Sequence, residues 1–157
     1  EAEINKTQNW ALNFFDNSNG HNENPYNIQS DLQEMMQHLV GIVRLEDELV
    51  QASEELKKLS NRMLNVKVTG NREYNNGWHT AIDLKNLLTV SNAITLSAIQ
   101  RKESRGAHFR EDYHAKSDTF SKHNTLIKKG TDGEMIVSKR PIPEIRDDLK
   151  KVIEEMK

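Results

Sequence analysis

At 157 residues the chain has the length of a single domain and can bury a real core. Hydrophobic content of 35% and a mean hydropathy of −0.80 are low for a compact globule; they suit thin helical packing with much exposed surface, or a piece of a larger protein. A net charge of −2 gives no basic field to support nucleic-acid binding, and the lack of cysteine excludes disulfides, thiolate metal sites and cysteine nucleophiles. No apolar run approaches the roughly 18–20 residues that span a bilayer, so no direct membrane insertion is expected. The chain opens on Glu1 rather than Met, which reads as a processed or excised piece, and no signal peptide is visible.

Residues 1–15 suit a short helix with Ile4, Trp10, Ala11 and Phe14 on its apolar side. The polar run 16–24, DNSNGHNEN, reads as an irregular linker. Asn24-Pro25 is a helix start, a capping side chain followed by a ring that presets the backbone. From there Ile28, Leu32, Met35, Met36 and Leu39 recur at helical spacing, and Gly41 is positioned to close the helix. A second long helix is expected over about 45–64, its core face built from Leu45, Leu49, Ala52, Leu56, Leu59 and Met63. The acidic opposite face reads as solvated, with pairs such as Glu54–Lys58. After a Gly- and Asn-rich connection, a third helix is expected over about 77–103. Trp78, Ile82, Leu84, Leu87, Leu88, Ala93, Ile94 and Ala98 populate its wide buried side.

Beyond residue 113 the pattern changes. NTLIKKG and GEMIVSK are β-prone runs around an Asp132-Gly133 turn, a hairpin signal. Pro141 and Pro143 then introduce a last charged helix, with Ile145, Leu149, Val152, Ile153 and Met156 along one side. The predicted fold is therefore mainly α: a three-helix up-down-up bundle with a small C-terminal β-hairpin and a terminal helix. The expected organisation is an N-terminal helical segment and linker (1–23), a helical bundle (24–113) and a tail (114–157).

The chemistry-bearing motifs are few. Neither GxGxxG nor GxxxxGK[ST] occurs, so no phosphate cradle is encoded. The six histidines, at 21, 38, 79, 108, 114 and 123, fall in no helical metal-binding pair; His108 and His114 lie six apart, poor ligand spacing. Ser104 and Ser121 have histidines nearby in sequence but no nucleophile elbow. No catalytic, cofactor-binding or metal-binding residue is assigned. What stands out is 101–113, RKESRGAHFREDY, in which eight of thirteen residues are ionisable around one glycine. The plain reading is a frayed, solvated helix end. The sharper one is a turn at Gly106 that presents the guanidinium forks of Arg105 and Arg110 to carboxylates or carbonyls across an interface.

ESRGAHFREDY resembles the C-terminal signature of the flavoprotein subunit of succinate dehydrogenase and fumarate reductase. Asn24-Pro25, MMQHLVGIVR (35–44), YNNGWHTAIDLKNLL (74–88), AIQRKESRGAHFREDY (98–113) and SKHNTLI (121–127) follow in the family's order and approximate spacing. The resemblance covers most of 24–142. The family commonly has Pro where this chain has His114 and often Trp at Phe120; Asn124 looks inserted, and the 143–157 helix is not a general family feature.

The resemblance implies an FAD-dependent oxidoreductase that interconverts succinate and fumarate and passes electrons to an iron–sulfur subunit and on to quinone. It implies that FAD belongs to the parent protein and that none is held by this chain, which alone is expected to be inactive. The implied partners are the FAD-binding domain of the same polypeptide and the iron–sulfur subunit. The implied location is cytoplasmic, with the parent complex at the inner face of the cell membrane. Glu103, Ser104, Arg105, His108, Arg110, Asp112 and His123 are then expected to form a docking network facing the FAD domain. Two other readings remain: the matching domain of an L-aspartate oxidase, and a freestanding helical interaction module.

Overall fold

The computed structural model describes residues 1–16 and 22–156; the central part of the expected linker, 17–21 with His21, lies outside the described residues. Helix α1 is Ala2–Asp16, α2 is Pro25–Leu39, α3 is Glu46–Met63 and α4 is Asn76–Gln100. The sequence signal for the start of α2 is realised as atoms. Asn24 caps α2, its side chain accepting a 3.0 Å hydrogen bond from the Tyr26 N–H, with Pro25 in the first turn. Asn75 caps α4 by accepting from the Trp78 N–H at 2.9 Å, while its amide donates to the Thr69 and Asn71 carbonyls and fixes the preceding loop. Helix α3 lacks a side-chain cap and opens instead on Glu46, Asp47 and Glu48, which suit the positive end of the helix dipole.

Helices α2, α3 and α4 pack on one another as the bundle. Ile28, Leu32, Leu56, Leu59, Ala81, Leu84 and Leu88 form its buried centre. The connection after α3 adds Val66 and Val68 to this core, running beside Glu23 and Phe14 through bonds from Lys67 N–H to the Glu23 carbonyl and from Val68 N–H to the Phe14 carbonyl. Phe14 joins the core, and Trp78 donates from its indole to the Ala11 carbonyl at 2.7 Å, which ties α1 to α4. Ile4, expected on the apolar side of α1, is 70% exposed. A second cluster, Val40, Leu49, Ala52 and Ala98, closes the other end of the bundle.

Gly41 does follow the end of α2, and the reason is space: a Cβ there would sit 2.9 Å from the Gln37 carbonyl oxygen. Helix α4 ends at Gln100, short of the expected 103, because Arg101 turns to extended geometry. That exit lets residues 101–105 close around one carboxylate. The buried side of α4 is also narrower than its sequence suggests. Leu87 and Ile94 are 38% and 43% exposed and with Val90 form an uncovered apolar stripe.

One strand pair and one short helix had no sequence signal. Strand β1 (Val43–Arg44) pairs in parallel with β2 (Phe109–Arg110), Val43 opposite Phe109 and Arg44 opposite Arg110. Two-residue strands are too short for periodicity to reveal. The other is a single-turn helix, α5 (Asp118–Ser121). The hairpin appears as expected, β3 (His123–Lys129) against β4 (Met135–Pro141), turning at Gly133 with φ +91°. Helix α6 (Asp147–Glu155) starts after both prolines, with 142–146 outside any helix. Every residue of α6 is exposed.

Candidate functional site

The charged stretch folds into two linked clusters at the end of α4. Glu103 is fully buried and is the hub of the first. Its carboxylate accepts from Arg101 Nε at 2.9 Å, from Arg105 Nε and Nη2 at 3.0 and 3.1 Å, and from the Ser117 N–H at 2.7 Å. The Arg105 hydrogen bonds, helped by those from Ser117 and Arg101 against the cost of burial, hold its pKa down to about 2. Arg105 and Arg101 also reach the Ser117 and Phe120 carbonyls, so the tail is fastened to the helix end by charge-assisted bonds.

Arg110 is the hub of the second cluster and has no exposed surface. It makes a two-pronged contact with Asp112, Nε to Oδ1 and Nη2 to Oδ2, both 2.7 Å. Nη1 donates to the Ala98 carbonyl at 2.9 Å, and Nη2 also meets Glu46 of α3. Asp112 in turn accepts from the Glu46 N–H at 3.2 Å, and Arg110 holds its pKa down to about 2. Ser104 sits between the clusters: its hydroxyl accepts from the Arg110 N–H at 2.8 Å and donates toward the Tyr113 carbonyl at 2.9 Å. The turn needs glycine, since Gly106 has φ +60° between the reciprocal Arg105–His108 backbone bonds.

His108 bridges to the start of the bundle. Its Nδ1 accepts from Arg44 Nη1 at 2.7 Å and its Nε2–H donates to the Arg101 carbonyl at 2.9 Å, the neutral form. Burial lowers its pKa, and the charges of Arg44, Arg110 and Arg101 add to that against the favourable bond to the Arg101 carbonyl. Arg44 spans α2 and β1 through Nε, which donates to the Gly41 and Val40 carbonyls at 2.7 and 3.3 Å.

Six of the seven expected residues, Glu103, Ser104, Arg105, His108, Arg110 and Asp112, are thus brought together. His123 stands aside: it is 9% exposed, touches the Phe120 ring, and its Nε2 has no hydrogen-bond partner among the described residues. The charges pair chiefly among themselves, Glu103 with Arg105 and Arg110 with Asp112. Sequence reading missed Arg44, Glu46, Arg101 and Ser117. Glu46 was hidden in a face expected to be solvated; there Lys58 pairs with Glu55 rather than with Glu54. Its only signal was its place at the first turn of α3.

No group of three metal-ligating side chains gathers among the described residues, and no helix among them is long and apolar enough to cross a membrane. A sequence model of the family described as fumarate reductase flavoprotein C-term matches residues 29–151. The chain belongs to that family. It is the C-terminal part of a succinate dehydrogenase/fumarate reductase-type flavoprotein. It is 38% identical over 110 residues to a succinate dehydrogenase flavoprotein subunit from Coxiella burnetii, covering 69% of this chain and 19% of that one. It is 30% identical over 133 residues to the 8-methylmenaquinol:fumarate reductase flavoprotein subunit of Wolinella succinogenes, covering 82% and 22%. In the solved structure of Mycobacterium smegmatis Sdh1 in complex with UQ1, a chain 34% identical superposes with a TM-score of 0.88 over 98% of this chain and 26% of that one. The chain therefore spans about a fifth of the length of the curated relatives it matches.

The family implies FAD for the parent flavoprotein. The sequence lacks a glycine-rich dinucleotide turn. The groove between α3, α4 and the hairpin is lined by Lys57, Lys85, Lys128 and Lys129 together with Leu56, Leu88 and Met135.

Proposed function

We propose that this chain is the C-terminal helical domain of an FAD-dependent succinate/fumarate oxidoreductase. It packs on the FAD-binding domain of the same polypeptide and shapes the flavoprotein's contact with an iron–sulfur subunit. Hydride transfer between dicarboxylate and FAD takes place outside the chain, which by itself neither holds FAD durably nor turns over succinate. The parent complex works at the inner face of the cell membrane and passes its electrons toward quinone.

The observation that carries this reading is the match over 29–151, joined to relatives that it covers for only about a fifth of their length and whose names are succinate dehydrogenase and fumarate reductase flavoprotein subunits. Uncovered apolar side chains on the bundle, Leu87, Val90 and Ile94 on α4 and Ile42 and Val43 beside it, support a surface that is covered in the parent protein. The buried members of 103–112 contribute to docking through the surface they hold in place. Arg105 and His108, at the edge of the cluster, add direct contacts. His123, the remaining expected docking residue, contributes from the start of the hairpin.

The test is a reconstitution. The FAD-binding region of the parent flavoprotein is expressed separately and assayed for succinate-dependent dye reduction before and after addition of this chain. The reading expects activity to appear or rise at a one-to-one ratio. Unchanged activity with no complex on a sizing column overturns it.

A further inference from the structure

Arg44 is the exception in the arginine cluster. Arg101, Arg105 and Arg110 each pair with a carboxylate, and none of the ion pairs among the described residues includes Arg44. Of the five N–H donors that a guanidinium carries, its hydrogen bonds use Nε and one hydrogen of Nη1. The Val40 and Gly41 carbonyls just past α2 that receive Nε hold the group in place but supply no counter-ion. Burial and the nearby charge of Arg110 both act against the Arg44 cation. Its neighbours are exposed and apolar, Ile42 at 70% and Val43 at 52%. In the parallel register of β1 and β2, bonds fall on the Ile42 and Arg44 carbonyls, which turns the Val43 peptide groups toward the open edge.

We infer that Ile42, Val43 and Arg44 form a docking face for a carboxylate-bearing segment of the FAD-binding part of the parent flavoprotein. An Asp or Glu side chain completes the guanidinium fork of Arg44 while apolar neighbours cover Ile42 and Val43. Charge decides the occupant. A second copy docking by the same face would bring two Arg44 cations into one small interface whose three residues hold no carboxylate to answer them. A segment with a carboxylate supplies the missing counter-charge, and most of the length of the relatives lies outside this chain to provide it. The inference rests on the function proposed above and adds the place and chemistry of contact.

Binding of this chain to the separately expressed FAD-binding region is followed by calorimetry, with Ile42→Glu, Val43→Glu and Arg44→Gln beside the wild-type chain. Positions 42 and 43 are exposed, so those variants keep the melting temperature of the free chain. The expected result is binding weakened at least about tenfold by Val43→Glu and by Arg44→Gln, the wild-type affinity falling with salt. In the Arg44→Lys variant, a zero-length carbodiimide is expected to join position 44 to an Asp or Glu of the FAD-binding region. Wild-type binding that Ile42→Glu and Val43→Glu leave within about twofold overturns the docking face and leaves the proposed function standing. Absence of binding by the wild-type chain removes both. Dimerisation of the free chain that Val43→Glu abolishes assigns the face to a second copy and overturns the inference.

Discussion

The stretch 101–118 and helix α6 reverse the usual relation between polarity and burial. The first is among the most densely charged parts of the chain, yet Glu103 and Arg110 within it have no exposed surface. The second has an apolar stripe, Leu149, Val152 and Ile153, flanked by Ile145 and Met156, and all five are 46% exposed or more. What separates them is partnership. In the first region the buried charges Glu103 and Arg110 find their complements a few residues away or on α3, so burial leaves few groups unpaired. In the second, no described part of the chain closes over the stripe, so α6 keeps it exposed.

The comparison can be broken most directly at Arg110. Arg110→Ala strands Glu46 and Asp112 as neighbouring carboxylates and leaves the Ala98 carbonyl without its donor. The expected loss is about 3–5 kcal/mol in urea unfolding, the range for breaking a buried pair from one side. A loss comparable to that of an exposed charge would mean that the cluster is solvated after all.

Glu103→Gln is expected to cost about 2–3 kcal/mol at pH 7 and to change the acid limb of stability. The carboxyl titrates near 2 when folded and near 4.5 when unfolded, so its contribution is complete above about pH 4.5 and is lost as pH falls toward 2. The wild-type chain should lose stability steeply across that window. The variant should lose it less steeply, with Asp112 still contributing over the same range. Parallel acid limbs would remove Glu103 from the account.

At the other end of α4 the anchor is neutral. Asn75→Ala removes the cap of α4 and the two loop bonds, for an expected cost of about 1–2 kcal/mol without pH dependence, read by thermal unfolding. The smallest effect is reserved for the second region. Leu149→Gln on α6 should shift the stability of the free chain by no more than about 0.5 kcal/mol, because that side chain is 49% exposed and belongs to neither core cluster. A large loss there would show that α6 folds back onto the bundle.

The sequence carried the bundle clearly because caps and periodicity are local: Asn24-Pro25 and the leucine spacing each act within a turn or two. The hairpin was legible for the same reason, through Gly133. The role of Gly106 as a sharp turn was readable from its neighbours, but the identity of the partners was not. Arg44 and Glu46 reach their partners across 64 residues of sequence, and no local pattern encodes a contact at that range. For the same reason α4 looked wider-faced than it is. An apolar residue reports that something covers it in the working protein, and Leu87, Val90 and Ile94 do not say whether that cover lies in this chain.

The most direct test of the account is amide hydrogen exchange on the chain, free and then bound to the FAD-binding region of its parent flavoprotein. The account predicts that amides in 103–117, such as those of Arg110 and Ser117, are already strongly protected in the free chain. It predicts that binding adds protection chiefly at 42–44. Fast exchange through 103–117 in the free chain, with protection gained only on binding, would contradict it and make the charged stretch itself the docking surface.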